Sequence, residues 1–253
     1  MVSIELKQLV NWCDHTLLSH QFKDYCPNGL QIEGQAQVSK VISAVSASQS
    51  VIQLAIEAKA QAILVHHGYF WKGEDAVLTG IKADRIRQLM QHGISLLAYH
   101  LPLDAHPTLG NNAALADLLG FEMTGSLQPN QAQPIGNVGT CASMSAAQLT
   151  AHLTQQLGRP VMHLDGGAEQ IQRIGWCTGA AQDLIYAAHA QGCDAYISGE
   201  VSERTFYEAQ ELGIHYFACG HHATERGGVQ RLGQAIAEQF TISVQFVDTA
   251  NPV

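Results

Sequence analysis

The chain has 253 residues, 46% of them hydrophobic and 14% charged, enough apolar material for one large core or two smaller ones. Lys and Arg total 13 against 22 Asp and Glu, a formal charge of −9 with no basic cluster, which argues against non-specific nucleic-acid binding while leaving room for a small nucleotide substrate. No run approaches the roughly 18 to 20 apolar residues of a membrane span, no signal-peptide pattern opens the chain, and none of the six cysteines forms a CxxC pair, so the expectation is a cytoplasmic protein with reduced thiols and no membrane partner.

The opening stretch, MVSIELKQLVNWCDHTLL, places Ile4, Leu6, Leu9, Val10, Leu17 and Leu18 mostly on one face, the pattern of an amphipathic helix. Residues 41 to 68, VISAVSASQSVIQLAIEAKAQAILVHHG, then read as an apolar strand, a turn, an Ala-rich helix and a second buried strand. That strand ends on His66 and His67, and Gly68 is expected to let the chain turn so that the two imidazoles diverge. A helix closed by Gly93 leads to another strand and the motif HLPLD, His100 to Asp104. The helix GNNAALADLLG follows, with Asn111 and Asn112 read as its caps.

A polar, Pro-containing stretch, SLQPNQAQPIGN, separates the halves, placing one α/β repeat in residues 1–125 and a second in 126–253. After it come a strand around Cys141, a helix from Ala146 to Leu157 capped by Ser143 or Ser145, and the strand PVMHL. Residues 173 to 200, RIGWCTGAAQDLIYAAHAQGCDAYISGE, repeat the pattern of residues 41 to 68; slid back by 133 residues, Ala181-Gln182 falls on Ser48-Gln49 and Glu200 on His67. The repeat continues from HGISLLAYH to LGIHYFACG, whose helix stops at Gly213. It is 13 residues shorter because FWKGEDAVLTGIK has no counterpart in the second half. The chain closes with GHHATE and the helix GGVQRLGQAIAEQF.

In open α/β sheets, ligands gather at the carboxyl ends of the strands. The repeat places four such ends at His66-His67, HLPLD, SGE and GHHATE, where His66, His67, His100, Asp104, Glu200, His221, His222 and Glu225 collect around a site expected between the halves. Five to eight ligands are too many for one catalytic ion, which takes about three. They suit two ions about 3.5 to 4 Å apart. Mixed nitrogen and oxygen donors favour zinc, iron, manganese, cobalt or nickel over magnesium or calcium. His221 and Glu225, four apart, share a face if HHATE opens a helix.

Plainer readings exist for each residue taken alone. A buried His is usually hydrogen-bonded core, Asp104 fits an Asx turn before Pro107, and Glu225 fits a solvated helix face. Phe70 and Trp71 fit packing as well as base stacking, and Cys219 fits packing as well as ligation. There is no P-loop and no cationic cluster for a triphosphate; Arg226 and then Lys72 are the nearest cations.

HHGYFWKGE, HLPLDAHPTLGNNAALADLLG, SGEVSE and GHHATERGG, with the early PNGLQIEG, resemble the NIF-three-like dinuclear-metal family, and more narrowly its YbgI-type bacterial members, the GTP cyclohydrolase I type 2 homologues. The resemblance spans essentially the whole chain. It implies two intertwined, duplicated α/β repeats in three layers with mixed β-sheets, and a homo-oligomer in the form of a toroidal hexamer. It implies two divalent metal ions held by His66, His67, Asp104, His221 and Glu225, the His pair divided between them and a carboxylate bridging, with His100, His222 and Glu200 beside the site as proton-moving groups. The implied activity is hydrolysis of the purine imidazole ring of GTP by a metal-activated hydroxide. A two-metal phosphoesterase, and a metal-handling or scaffold protein without hydrolysis, remain open alternatives.

Overall fold

The computed structural model describes residues 2–253. In chain order the elements are β1 (Ile4–Glu5), α1 (Leu6–Leu17), β2 (Gly29–Ile32), β3 (Gln37–Val38), β4 (Lys40–Ser46), α2 (Gln49–Glu57), β5 (Ala62–His67), α3 (Gly80–Gln91), β6 (Ser95–Ala98), α4 (Leu101–Ala105), α5 (Asn111–Leu119) and β7 (Glu122–Ser126). There follow β8 (Asn137–Met144), α6 (Ala146–Leu157), β9 (Met162–Leu164), β10 (Ile171–Cys177), α7 (Ile185–Ala190), β11 (Ala195–Ser198), α8 (Glu203–Leu212), β12 (His215–Ala218), α9 (His221–Thr224), α10 (Arg226–Phe240) and β13 (Ser243–Phe246). The duplication is real: β4-α2-β5-α3-β6 and β10-α7-β11-α8-β12 are both runs of parallel strands joined by helices. No helix of the described residues is long and apolar enough to cross a membrane.

The described chain forms two compact units, and it passes between them three times. The first unit takes the chain through Leu103 and again over Gly228–Ala250; the second takes Asp104–Gly227 and Asn251–Val253. Each unit therefore contains segments of both sequence halves.

The first unit is built on a mixed five-stranded sheet in the order β13-β4-β5-β6-β2, in which β2 alone is antiparallel to its neighbour. Alternate residues of the parallel strands, Ile42 and Ala44, Ile63 and Val65, Leu96 and Ala98, pack with Val51, Ile52 and Ala55 of α2 and Ile86 and Leu89 of α3. Their Cβ neighbours on the other face meet α10, where a Cβ on Gly233 would stand 3.2 Å from Ser43 Oγ. Helix α1 buries Leu6, Leu9, Cys13 and Leu17, and the Trp12 ring lies edge-on to Phe240 of α10. Two residues expected on the apolar face of α1 do otherwise. Ile4 lies in the two-residue strand β1, and Leu18 is an exposed left-handed C-cap.

The second unit is built on a mixed six-stranded sheet, β7-β8-β10-β11-β12-β9. The period of two divides its interior cleanly. Ile174, Trp176, Ile197 and Phe217 pack with Leu115 and Leu119 of α5 and Leu149, Leu153 and Leu157 of α6. Cys177, Tyr196, Tyr216 and Ala218 pack with Ile185 and Ala188 of α7 and Ala209 of α8. This unit is thus three layers, helix-sheet-helix. Ser145, not Ser143, caps α6, in a reciprocal capping box with Gln148.

Trp176 is the largest fully buried side chain, and its Nε1–H donates to the carbonyl of Asn112 at 3.0 Å. Trp176→Ala is expected to destabilise the protein by about 3–5 kcal/mol, read as a lowered urea midpoint. Trp176→Phe should cost about 1–3 kcal/mol, through the carbonyl left without its donor.

Candidate metal centre

In each unit the polar side chains stand at, or just beyond, the carboxyl ends of the parallel strands. In the first unit, β5 ends on His67, which is in register with Ser46 of β4, and β6 runs out two residues before His100. Three imidazoles meet there, with ring centroids 4.6 Å apart for His66 and His67, 5.1 Å for His66 and His100, and 5.9 Å for His67 and His100. The backbone and a carboxylate decide which nitrogen each ring offers. His66 Nδ1–H can only donate to the Tyr99 carbonyl, 2.8 Å away, so in the neutral ring Nε2 carries the lone pair. His100 Nδ1 lies 2.7 Å from Asp24 Oδ1, which fixes the same tautomer. His67 Nδ1 lies 3.2 Å from Ser46 Oγ. One donor nitrogen from each of the three rings falls within 4.8 Å of the others.

Gly68 serves this cluster differently from the expected turn. A Cβ there would lie 2.2 Å from Gln31 Oε1 and 2.6 Å from the Ala98 methyl, so the residue is needed for close approach and not for a left-handed backbone. Gln31 in turn accepts the Tyr69 N–H and donates to the Tyr69 carbonyl. Trp71 stands edge-on to His100 at 5.0 Å, while Phe70 lies under the Lys82 ammonium; both rings are engaged in packing.

In the second unit, β10 runs into Thr178 and Gly179, and this bend organises the carboxylates. Thr178 Oγ1 donates to Asp104 Oδ1 at 3.1 Å. Asn111 Nδ2 donates to the same oxygen at 2.9 Å, and Asn112 Nδ2 donates to the Asp104 carbonyl. The two asparagines are therefore not caps: Gly110 is the N-cap of α5, and their side chains fix Asp104 instead of the helix end. Gly179 leaves room for the other pair, since a Cβ there would lie 2.2 Å from Glu225 Oε1 and 3.2 Å from His221 Nε2. His221 Nε2 is 3.1 Å from Glu225 Oε2, as four-residue spacing allows, and its Nδ1 is 2.7 Å from Glu200 Oε1. Burial opposes a charge on His221, but the bonds and charges of Glu225 and then Glu200 prevail and push its pKa up to about 9. The ring keeps its proton at neutral pH in the metal-free chain, and an ion bound there must displace it.

Of the remaining expected residues, His222 is buried, with its backbone N–H on the carbonyl of Val253, and Cys219 is fully buried in the core, its thiol pushed up by burial. Arg226 donates to the Leu157 carbonyl at the end of α6. The cation that the sequence did not mark is Arg159. It lines an open cavity of about 740 Å³ together with Glu200, Gly220 and the apolar Val161, Met162 and Val201. Its Nη1 is buried with no hydrogen-bond partner among the described residues, packed where a Cβ on Gly220 would stand 1.8 Å away. Asp24 is the second residue sequence reasoning passed over, though it lies four positions before Asn28, with which it bonds.

The donor set fits divalent transition metals. Imidazoles of fixed tautomer and buried carboxylates gather at strand ends, and glycines leave space that a side chain would fill. The chain is thus an α/β protein of duplicated parallel units with groups of His, Asp and Glu that could hold metal ions. The family Duf34/NIF3 (NGG1p interacting factor 3) matches residues 4–252, and the chain belongs to it. A Pseudomonas aeruginosa relative named GTP cyclohydrolase 1 type 2 homolog is 49% identical over 252 residues, covering 99% of this chain and all of the relative. A Vibrio cholerae relative of the same name is 47% identical over 257 residues, with both chains fully covered. A solved structure described as protein ybgI, of unknown function, superposes with a TM-score of 0.95 at 42% identity, over 99% of this chain and 100% of that one.

Asp24 ties this architecture to pH. Burial resists its ionisation, but the hydrogen bond and charge of His100, then Asn28 and the Tyr25 N–H, hold it below the usual carboxylate range. A lowered folded pKa stabilises the protein above the unfolded value of about 3.9, and that stabilisation is lost as pH falls through the folded value. Asp24→Asn should therefore lower the urea midpoint at pH 6, and the gap between variant and parent should narrow below about pH 4.

Proposed function

We propose that His66, His67, Asp104, His221 and Glu225 hold two divalent transition-metal ions, and that the protein is a metal-dependent hydrolase of a nucleotide or related heterocycle. The observation that carries this reading is the fixed tautomers. His66 and His100 each spend Nδ1–H on a fixed acceptor and keep a lone pair on Nε2, as metal-site imidazoles do. When bound, divalent ions supply a Lewis acid and a lowered pKa for water. The chain's own residues supply the rest. Glu200, bonded to His221 Nδ1 and lining the open cavity, is placed to take a proton at that cavity's edge. The Asp24–His100 pair holds a second proton-moving imidazole in one orientation. Arg159 offers an anionic substrate a guanidinium beside an apolar wall.

The name carried by the relatives suggests opening of the imidazole ring of GTP, with water added at the ring carbon and a carbon–nitrogen bond broken. A single guanidinium at the cavity is thin provision for a triphosphate. That favours metal handling without hydrolysis as the second reading.

Elemental analysis of protein purified without chelator should find about two ions per chain, and His66→Ala or Glu225→Ala should each lower the content without unfolding the chain. Chelation should abolish hydrolysis of GTP or a related nucleotide, and added Mn, Zn or Fe should restore it. Activity in the metal-free protein overturns the hydrolase reading, and full metal content in both variants overturns the ligand set. Two ions with no turnover moves the assignment to metal handling.

The same reading includes a cytoplasmic ring of six copies. Exposed Met162, Phe206 and Tyr207 in the second unit, and Val77, Leu78 and Ile81 in the first, provide apolar surface for partner copies. Sedimentation equilibrium should return six times the 27.3 kDa chain mass; a monomeric mass removes the ring.

A further inference from the structure

At the other end of β12 from His221, a second group of donors converges. His215 opens β12, and His163 lies on the neighbouring antiparallel strand β9, in register with Phe217 and stacked on its ring at 4.7 Å. His163 Nε2 is 3.0 Å from His215 Nδ1, and Asp165 Oδ1 is 3.3 Å from that same Nδ1. The three donor atoms all lie within 4.8 Å of one another.

The local chain builds this group. His215 Nε2 faces the Ala168 carbonyl at 2.9 Å, a contact in which the ring nitrogen must be the donor. The Nδ1 of the neutral ring is thereby left with its lone pair toward His163 and Asp165, the same device that sets His66 and His100. The segment from Asp165 to Ala168 is pressed into place by two glycines. A Cβ on Gly166 would lie 2.3 Å from the Ala209 carbonyl oxygen, and one on Gly167 would lie 2.7 Å from His215 Cδ2. The His215 side chain is 4% exposed and Asp165 is 82% exposed, so the group has a rigid buried anchor and an open side.

We propose that His163, Asp165 and His215 form a separate mononuclear site for a borderline divalent cation of the zinc class. Metal–nitrogen bonds of about 2.0–2.1 Å at a tetrahedral centre place two donors roughly 3.3 Å apart, and the two spacings to His215 Nδ1, 3.0 and 3.3 Å, stand within tenths of an ångström of that. Two imidazoles and one carboxylate select zinc, cobalt or nickel over magnesium and calcium. Three protein ligands leave a fourth position, on the exposed side, for water or an exogenous donor. In the ion-free chain, the His163 Nε2–H donates to His215 Nδ1; to bind a cation through Nε2, the neutral ring takes its other tautomer, with the proton on Nδ1 and none released overall.

Cobalt(II) is the probe. After equilibrium dialysis against Co(II), the parent should hold one more ion per chain than His163→Phe, which keeps a ring over Phe217 but has no donor. Asp165→Asn changes only an exposed side chain and should weaken that ion's binding about tenfold or more. Equal cobalt content in the parent and His163→Phe, or unchanged affinity in Asp165→Asn, overturns the site. The comparison is repeated in a Glu225→Ala background, where the one-ion difference should persist. A failure of the strand-end centre and a failure of this site therefore give different counts.

Discussion

Everything at the candidate centre depends on the register of parallel strands. In the first unit, Val65 of β5 pairs with Ala98 of β6, and Ser46 of β4 with His67. In the second, Cys177, Ser198 and Ala218 stand side by side across β10, β11 and β12. In the second unit the ends are flush, so the residues that follow are released from the ladder at the same level; in the first, β5 runs two residues past its last pair with β6 and ends with His67 beside Ser46. A slip of one residue in any pair would turn its side chains to the opposite face. His66 would then exchange places with Val65, and a buried imidazole would have to find a new acceptor in an apolar layer.

Around those ends, the chain spends backbone carbonyls and neutral amides on orientation and keeps charge close to the ligands. Tyr99 presents its carbonyl to His66, Asp24 presents a carboxylate to His100, and Asn111 with Thr178 holds one oxygen of Asp104. Each fixes a ring or carboxylate that would otherwise cost rotamer entropy on binding an ion. The glycines serve the same end by subtraction: at Gly68 and Gly179 the space a Cβ would fill is already taken by Gln31 and Glu225.

Much of this was legible in the sequence. The apolar runs before HHG, HLPLD, SGE and GHHATE mark buried strands, and the offset of 133 residues makes the ends correspond. Hence the α/β class, the duplication and the placement of His66, His67, His100, Asp104, Glu200 and His221 at strand ends were readable. The supporting contacts were not. Asp24 reaches His100 across 76 positions and Thr178 reaches Asp104 across 74, and no local pattern encodes a pairing at that separation. Asn111 and Asn112 misled because asparagine beside a helix start ordinarily caps it; here the N-cap is Gly110, and the amides turn to Asp104. Gly68 misled for a similar reason, since a glycine's tolerance of close approach leaves no mark distinct from its tolerance of positive φ.

The return of the chain to the first unit over residues 228–250 has a consequence for how the molecule is made. The second unit is essentially continuous, from Asp104 to Gly227, and its sheet can pair as soon as that segment leaves the ribosome. The first unit is begun earlier and finished later. Strand β4 lacks its parallel partner β13, and the face under Gly233 lacks α10, until residues 228 to 250 have been added. At ordinary rates of synthesis that interval is on the order of ten seconds. Throughout it, β4 is an unpaired edge beside an uncovered apolar face, the condition under which nascent chains pair wrongly with one another. The half that is translated first is the half that must wait.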